Sequence, residues 1–344
     1  MEINLDEQKI VRDIKLKHGM SVNEITKQLF ESGGFVAKKF AIAVDILERM
    51  IKDKDAFKFL SFPACIMATG TRGIIVDLIK NKLFDAVITT CGTLDHDLAR
   101  LWKPYYHGNF LMDDRELHKQ GINRLGNVLV PNDSYWIVEE KLQGIFQDIY
   151  DSGKRRLATY ELVWEIGKRL ENEEDKENSF TYWAYKNKIP VFIPGITDGA
   201  VGYQLWLFMQ DKDDFIIDVF RDETKLDEIM ASLASNNKKS GALMIGGGIS
   251  KHHTIWWNQF WKEGLDYAVY ITTAVEWDGS LSGARMREAV SWGKVKEDAR
   301  YVTVEGDATV LLPFMIASLL ERLDSTLLFM PQYQNLIKLQ KLIL

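Results

Sequence analysis

The chain has 344 residues, 46% of them hydrophobic and 27% charged, which excludes a disordered chain and leaves one large α/β domain or two ordinary ones. A net charge of −6 gives no reason to expect nucleic acid as a partner. The two cysteines, Cys65 and Cys91, have no CxxC spacing and no neighbouring histidine motif, so neither a disulfide framework nor a zinc site is expected.

No apolar core follows a basic start at residues 1–17, so a signal peptide is not expected. The longest apolar stretch, 309–320, contains Pro313 and is too short to span a bilayer; a soluble, cytoplasmic protein is expected. Val36, Phe40, Val44, Leu47 and Ile51 recur at helical spacing after Gly33-Gly34. A short strand at 59–62 ends at Pro63, and Gly70 and Gly73 punctuate a turn and a helix carrying Val76, Leu78 and Ile79. Strands follow at 85–90, 190–193, 215–219, 242–245 and 267–271, with helices at 223–233 and 250–262. The charged run 168–178 is a candidate surface linker or solvated helix end. Short apolar strands alternating with helices predict a doubly wound, mostly parallel sheet flanked by helices, with ligands at the carboxyl ends of the strands. The loops there are rich in Gly, Thr and Ala, which lets backbone amides approach a ligand.

Five features stand out. Gly246-Gly247-Gly248 lies between a strand and a helix, as a phosphate-cradling turn does, although neither GxGxxG nor a P-loop is present; plain chain reversal is the alternative. His252 and His253 point in different directions on a helix and form no chelating pair, so no metal is expected; one of them against a ligand is the sharper reading. Asp95-His96-Asp97 either holds a cationic group or ribose, or caps the next helix. Trp256, Trp257 and Trp261 crowd one helix, with Trp257 and Trp261 on a shared face, and read as core or subunit interface. The fifth feature is Glu288-Ala-Val-Ser-Trp-Gly-Lys294. A lysine desolvated against an indole loses part of its preference for charge and becomes an amine nucleophile able to form an imine. The acids of 276–278, with Glu288, suit an amine substrate.

In this order the pieces resemble deoxyhypusine synthase, its archaeal branch most closely. The matching segments include Thr89-Thr90, 121–127 (GINRLGN), Thr197-Asp198-Gly199, 246–253 (GGGISKHH), 266–274 (DYAVYITTA), Asp278-Gly279-Ser280, Ser282-Gly283-Ala284-Arg285, Glu288 to Lys294 and Gly306-Asp307-Ala308. The resemblance spans about residues 20 to 325. It implies a Rossmann-like, NAD-binding domain over 21–330, preceded by a segment, 1–20, matching one that covers a neighbour's site entrance, and followed by a tail, 331–344.

The resemblance also implies a reaction. NAD oxidises spermidine beside its secondary amine, Lys294 attacks the imine, and 1,3-diaminopropane leaves. The aminobutyl imine passes to one lysine of the hypusine-bearing translation factor and is reduced there. Lys294 is then the nucleophile and His252 the proton-transfer or orienting group. Trp292, Glu288, Asp95, His96, Gly279 and Ser280 fall on the substrate side. Ala68, Thr69, Thr90, Cys91, Gly92, Asp198, Gly247, Thr273, Ala274, Asp307 and Ala308 line NAD. Family members are homotetramers with sites at subunit interfaces.

The chain departs from many members at several places. It has Thr93-Leu94-Asp95-His96 where many carry Gly-Val-Glu-Glu, although Thr-Leu-Asp-His-Asp is typical of the archaeal branch. Tyr203 and Leu281 stand where those members have polyamine-contacting acids, and each lost carboxylate removes a charged hydrogen bond of about 1.5–3 kcal/mol. A small polyamine as acceptor, giving homospermidine, is therefore the alternative. A non-catalytic NAD-binding regulatory subunit is a third reading, against which the joint presence of Lys294, Trp292, Glu288 and His252 argues.

Overall fold

The computed structural model describes residues 4–323, so the expected tail at 331–344 lies outside the described residues. The six strands of the main sheet are β1 (Ala56–Ser61), β2 (Ala86–Ile88), β3 (Val191–Phe192), β4 (Lys239–Ile245), β5 (Leu265–Thr272) and β6 (Val295–Glu305). Their spatial order is β6-β5-β4-β1-β2-β3, and every pairing is parallel. The winding runs one way from β1 to β3 and the other from β4 to β6, so the expected doubly wound sheet is present, with its switch point between β1 and β4.

The central strands are largely apolar because both faces are covered. Along β4, Leu243 and Ile245 join one core with Val44, Leu47, Val269 and Val304. Ala242 and Met244, pointing the other way, join a second core with Phe59, Tyr270, Met230 and Ile255. The helix Phe35–Lys52 covers the first face, its buried stripe matching the expected spacing. The helices Val219–Ser235 and Ile249–Trp257 contribute to the second. The segment 4–20 is exposed but not free of the body: Lys15 N–H donates to Gln28 Oε1 at 2.6 Å, and Arg12 N–H to Glu31 O at 3.1 Å.

Several elements differ from expectation. The strand near 215–219 shrinks to Ile216–Ile217 and pairs with Arg156–Leu157 in a separate two-stranded sheet. The charged run 168–178 is no linker. Its two short 3-10 turns, with Leu170 buried, join the helices Thr159–Arg169 and Phe180–Asn187, which pack on each other. The expected 250–262 helix ends at Trp257, and Trp261 takes a positive φ of 61°, so Trp257 and Trp261 share no helical face. Strand β6 has no counterpart in the sequence reading, because Lys296, Glu297, Asp298 and Arg300 hide it; a register shift where it pairs with β5 accommodates that charged stretch.

Candidate active site

Lys294 is set in place by a helix end. The helix Met286–Ser291 stops at Trp292, and Gly293 takes a left-handed φ of 65°, a conformation that costs glycine no Cβ clash. Lys294 N–H turns back to Ala289 O at 3.0 Å, while Lys294 O accepts from Leu265 N–H at 3.1 Å and starts the β5–β6 ladder. Trp292 and Lys294 thus emerge side by side. The lysine Nζ sits 5.2 Å from the Trp292 ring centroid and 5.3 Å from that of Trp256. Trp256 comes from the facing helix and stacks on His252 with 5.5 Å between centroids.

These groups line one cavity of about 290 Å³ between the helices Ile249–Trp257 and Met286–Ser291. It brings together Lys294, His252, Glu288 and Trp292, with Lys251, Leu281 and Arg285 at its rim and walls. Lys294 is only 7% exposed, and burial lowers its pKa from the usual lysine range; the nearby Glu288 carboxylate pulls in the opposite direction. His252 Nε2 lies 3.4 Å from Lys294 Nζ. Burial, then the charges of Lys294 and Lys251, lower the pKa of this imidazole, which keeps it neutral and able to accept a proton. An amine with a lowered pKa beside a neutral imidazole, between two indoles and with the Glu288 carboxylate across the cavity, is suited to nucleophilic attack on an electron-poor carbon of a cationic amine.

A second set of residues lies along the carboxyl edge of the sheet. Ala68 and Thr69 follow β1; Thr90, Cys91 and Gly92 follow β2; Asp198 follows β3. Gly247 follows β4, Thr273 and Ala274 follow β5, and Asp307 and Ala308 follow β6. The loops after β1 and β4 meet at the switch point, where a Cβ on Gly246 would lie 3.1 Å from Pro63. The helices beginning at Gly92 and Ile249 start on this edge with no side-chain cap, and Gly248 has open space around it. Uncapped helix starts beside glycine turns suit the diphosphate of a dinucleotide. The thiol of Cys91 is fully buried, with its pKa raised by burial, so this residue offers that edge backbone rather than sulfur.

Residues 24–319 match the deoxyhypusine synthase family. The chain belongs to the deoxyhypusine synthase family. A protein of Picrophilus torridus named probable deoxyhypusine synthase is 54% identical over 312 residues, covering 90% of this chain and 97% of the relative. Proteins of the same name from Thermoplasma acidophilum and Ignicoccus hospitalis are 51% and 46% identical, covering 90% and 91% of this chain and 97% and 96% of theirs. In fold, the chain is similar to the crystal structure of a deoxyhypusine synthase candidate from Entamoeba histolytica, with TM-score 0.59, 18% identity and coverage of 90% of this chain and 96% of that one. This is an enzyme family, and the most similar of these relatives are archaeal.

Other positions singled out in this deoxyhypusine synthase-family chain lie elsewhere. Asp95 is not on the cavity: its two carboxylate oxygens accept from Ala200 N–H (2.8 Å) and Val201 N–H (2.9 Å) and cap the helix Ala200–Gln210. Asp97 holds Ser179 Oγ, Phe180 N–H and Thr181 N–H and pairs with Arg72. Both acids therefore cap helices, but distant ones and not the next one. His96 Nδ1 is 3.0 Å from Tyr105 Oη. Gly279 and Ser280 are exposed on the loop leading to Leu281, which does line the cavity. Tyr203 is exposed and stacks near Trp206. Trp256, expected in a core or interface, proves to be a wall of the cavity, and Lys251 also reaches it. The signal for Trp256 was its four-residue spacing from His252, which puts both on one side of a helix.

Proposed function

We propose that this chain is an NAD-dependent aminobutyl transferase. It takes the aminobutyl group of spermidine onto Lys294 and passes it to one lysine of the hypusine-bearing translation factor. The observation that carries this reading is the buried Lys294 amine 3.4 Å from a neutral His252 and flanked by Trp256 and Trp292.

NAD bound along the carboxyl edge supplies the hydride acceptance that turns the secondary amine of spermidine into an imine, and the hydride that saturates the product. Glu288 and the indole faces hold the cationic donor. His252 takes a proton from Lys294, whose amine attacks the imine carbon. The C–N bond to 1,3-diaminopropane breaks, and the proton held by His252 goes to that leaving amine. The acceptor lysine then attacks the Lys294 imine and frees Lys294 for the next cycle. Trp292 and Trp256 exclude water, which would hydrolyse the imine to an aldehyde.

The backbone of Lys294 stands at the amino end of β5 and β6, while the cofactor loops stand at the opposite edge. Leu265, bonded to Lys294, is six residues from Ile271, whose carbonyl accepts from Gly246 N–H. That is about 20 Å along the strand between backbones, and in this reading the chain works as a homotetramer in which neighbouring protomers complete each site, with residues 1–20 over a neighbour's entrance.

Glu288 is the sole carboxylate lining the described cavity, and Leu281 lines it where a second acid is expected, so the acceptor needs its own test. Purified chain is incubated with NAD, spermidine and either the translation factor or putrescine. Aminobutylated protein supports the reading, homospermidine supports the small-polyamine acceptor, and no spermidine-dependent NADH contradicts both.

A further inference from the structure

Lys251 is a buried ammonium that the reaction above does not use. It is 1% exposed, and burial lowers its pKa to about 8, in the same direction as at Lys294. Its surroundings differ. Lys251 Nζ donates to Leu281 O at 2.9 Å and to Ala284 O at 2.6 Å, and its remaining side faces the Tyr270 ring at 4.0 Å from the centroid. An ammonium has three donors, and here each has a partner, so no free amine is left to act as a second nucleophile.

The two carbonyls belong to a segment that is tied down throughout. Ser282 O accepts from Tyr270 Oη (2.7 Å) and Thr272 Oγ1 (3.0 Å), and Gly283 O accepts from Arg285 (2.8 Å). Four successive carbonyls, 281 to 284, are thereby held by side-chain donors. The segment has no slack on its other side. A Cβ on Gly247 would fall 2.2 Å from Ser282 Oγ, and one on Gly283 would fall 1.9 Å from Val275 O. The loop thus lies directly on the glycine turn after β4 and on the loop after β5. Leu281 and Ala284, which flank it, are walls of the cavity that holds Lys294.

We infer that Lys251 is a positioning residue for the transfer reaction, clamping the 281–284 loop so that it forms the donor-binding wall of the cavity while staying packed on the cofactor turn. Its side chain also lines the cavity, but its ammonium is taken up by Leu281 O, Ala284 O and the Tyr270 ring, so it acts through Leu281 and Ala284. Its neighbour in sequence, His252, faces the reacting amine, so one helical turn carries both the proton-handling group and the clamp.

The inference rests on the aminobutyl-transfer reading, and two readouts keep the failures apart. Lys251→Met keeps the length and removes the charge and donors. Hydrogen exchange of the 279–285 peptide in the intact protein is expected to quicken while the Ile249–Trp257 helix keeps its protection. Spermidine binding, by calorimetry with NAD present, is expected to weaken about tenfold. If Lys251→Met does not fold, Lys251→Gln, whose amide reaches one carbonyl and carries no charge, is expected to change both readouts in the same direction. Unchanged exchange, or unchanged spermidine affinity in a folded variant, overturns the clamp. Absence of spermidine binding in the unsubstituted protein would count instead against the donor assignment, and the exchange result alone would then decide the clamp.

Discussion

Lys294 and Lys251 are both lysines taken out of water, and their partners separate them: Lys251 is saturated by two carbonyls and a ring, whereas Lys294 meets one imidazole and two indole faces. For Lys294 the lowered pKa means that free amine is present below the usual lysine range, so imine formation rises with pH and levels off early. Glu288 holds that pKa up, so Glu288→Gln is expected to move the rising limb to lower pH while weakening donor binding. Trp292→Ala admits water and is expected to move the limb to higher pH. Borohydride-trapped adduct measured across pH 6–10 (about the span between the reference histidine and lysine values) reads both shifts, and limbs that stay put contradict the electrostatic account. The Trp-Gly-Lys run was legible because its contacts are local to one helix end. Trp256 was not, because its partner Lys294 is 38 residues away in sequence and no periodicity reports that approach. The Asp95-His96-Asp97 run read as either ligand or cap, and only the tertiary placement of two distant helix starts decides for caps.

At the level of elements, those caps make two predictions. Burial raises the Asp95 pKa from 3.8 to about 6. In that window the folded state holds a proton that the unfolded state has released, so this group's contribution to stability falls as pH rises from 3.8 to about 6 and is flat above. Asp95→Asn, which does not titrate, is expected to remove that slope from the urea-unfolding free energy; an unchanged slope would contradict the assignment. Asp97→Ala leaves Arg72, itself 7% exposed, without its buried partner and uncaps the helix Phe180–Asn187. A loss of about 3–5 kcal/mol is expected by the same measurement, and a loss under about 1 kcal/mol, the worth of a surface pair, would contradict it. Strands β4 and β5 were readable because continuous apolar runs between glycine and turn signals are what a doubly covered parallel strand requires. Strand β6 was not, because four of its first six residues are charged and its pairing is interrupted there.

For the whole molecule, the parallel sheet puts the glycine-rich loops along one edge and the backbone of Lys294 toward the other, and the proposed reaction has its sites shared between protomers of a tetramer. A native mass near four times 39.6 kDa is expected, and a monomer in active preparations would contradict the shared site. No described helix is long and apolar enough to cross a membrane. The doubly wound class was legible from the alternation of strands and helices, but the separate Arg156–Leu157 and Ile216–Ile217 ladder was not, since two-residue strands carry no periodic signal. The central claim is that Lys294 carries the aminobutyl group during turnover. The full-length protein is incubated with NAD and spermidine, reduced with borohydride, digested and mapped by mass. The account predicts an aminobutyl adduct on the peptide containing Lys294, absent from Lys294→Ala, which still binds NAD. An adduct on another lysine, or full transfer by Lys294→Ala, would contradict it.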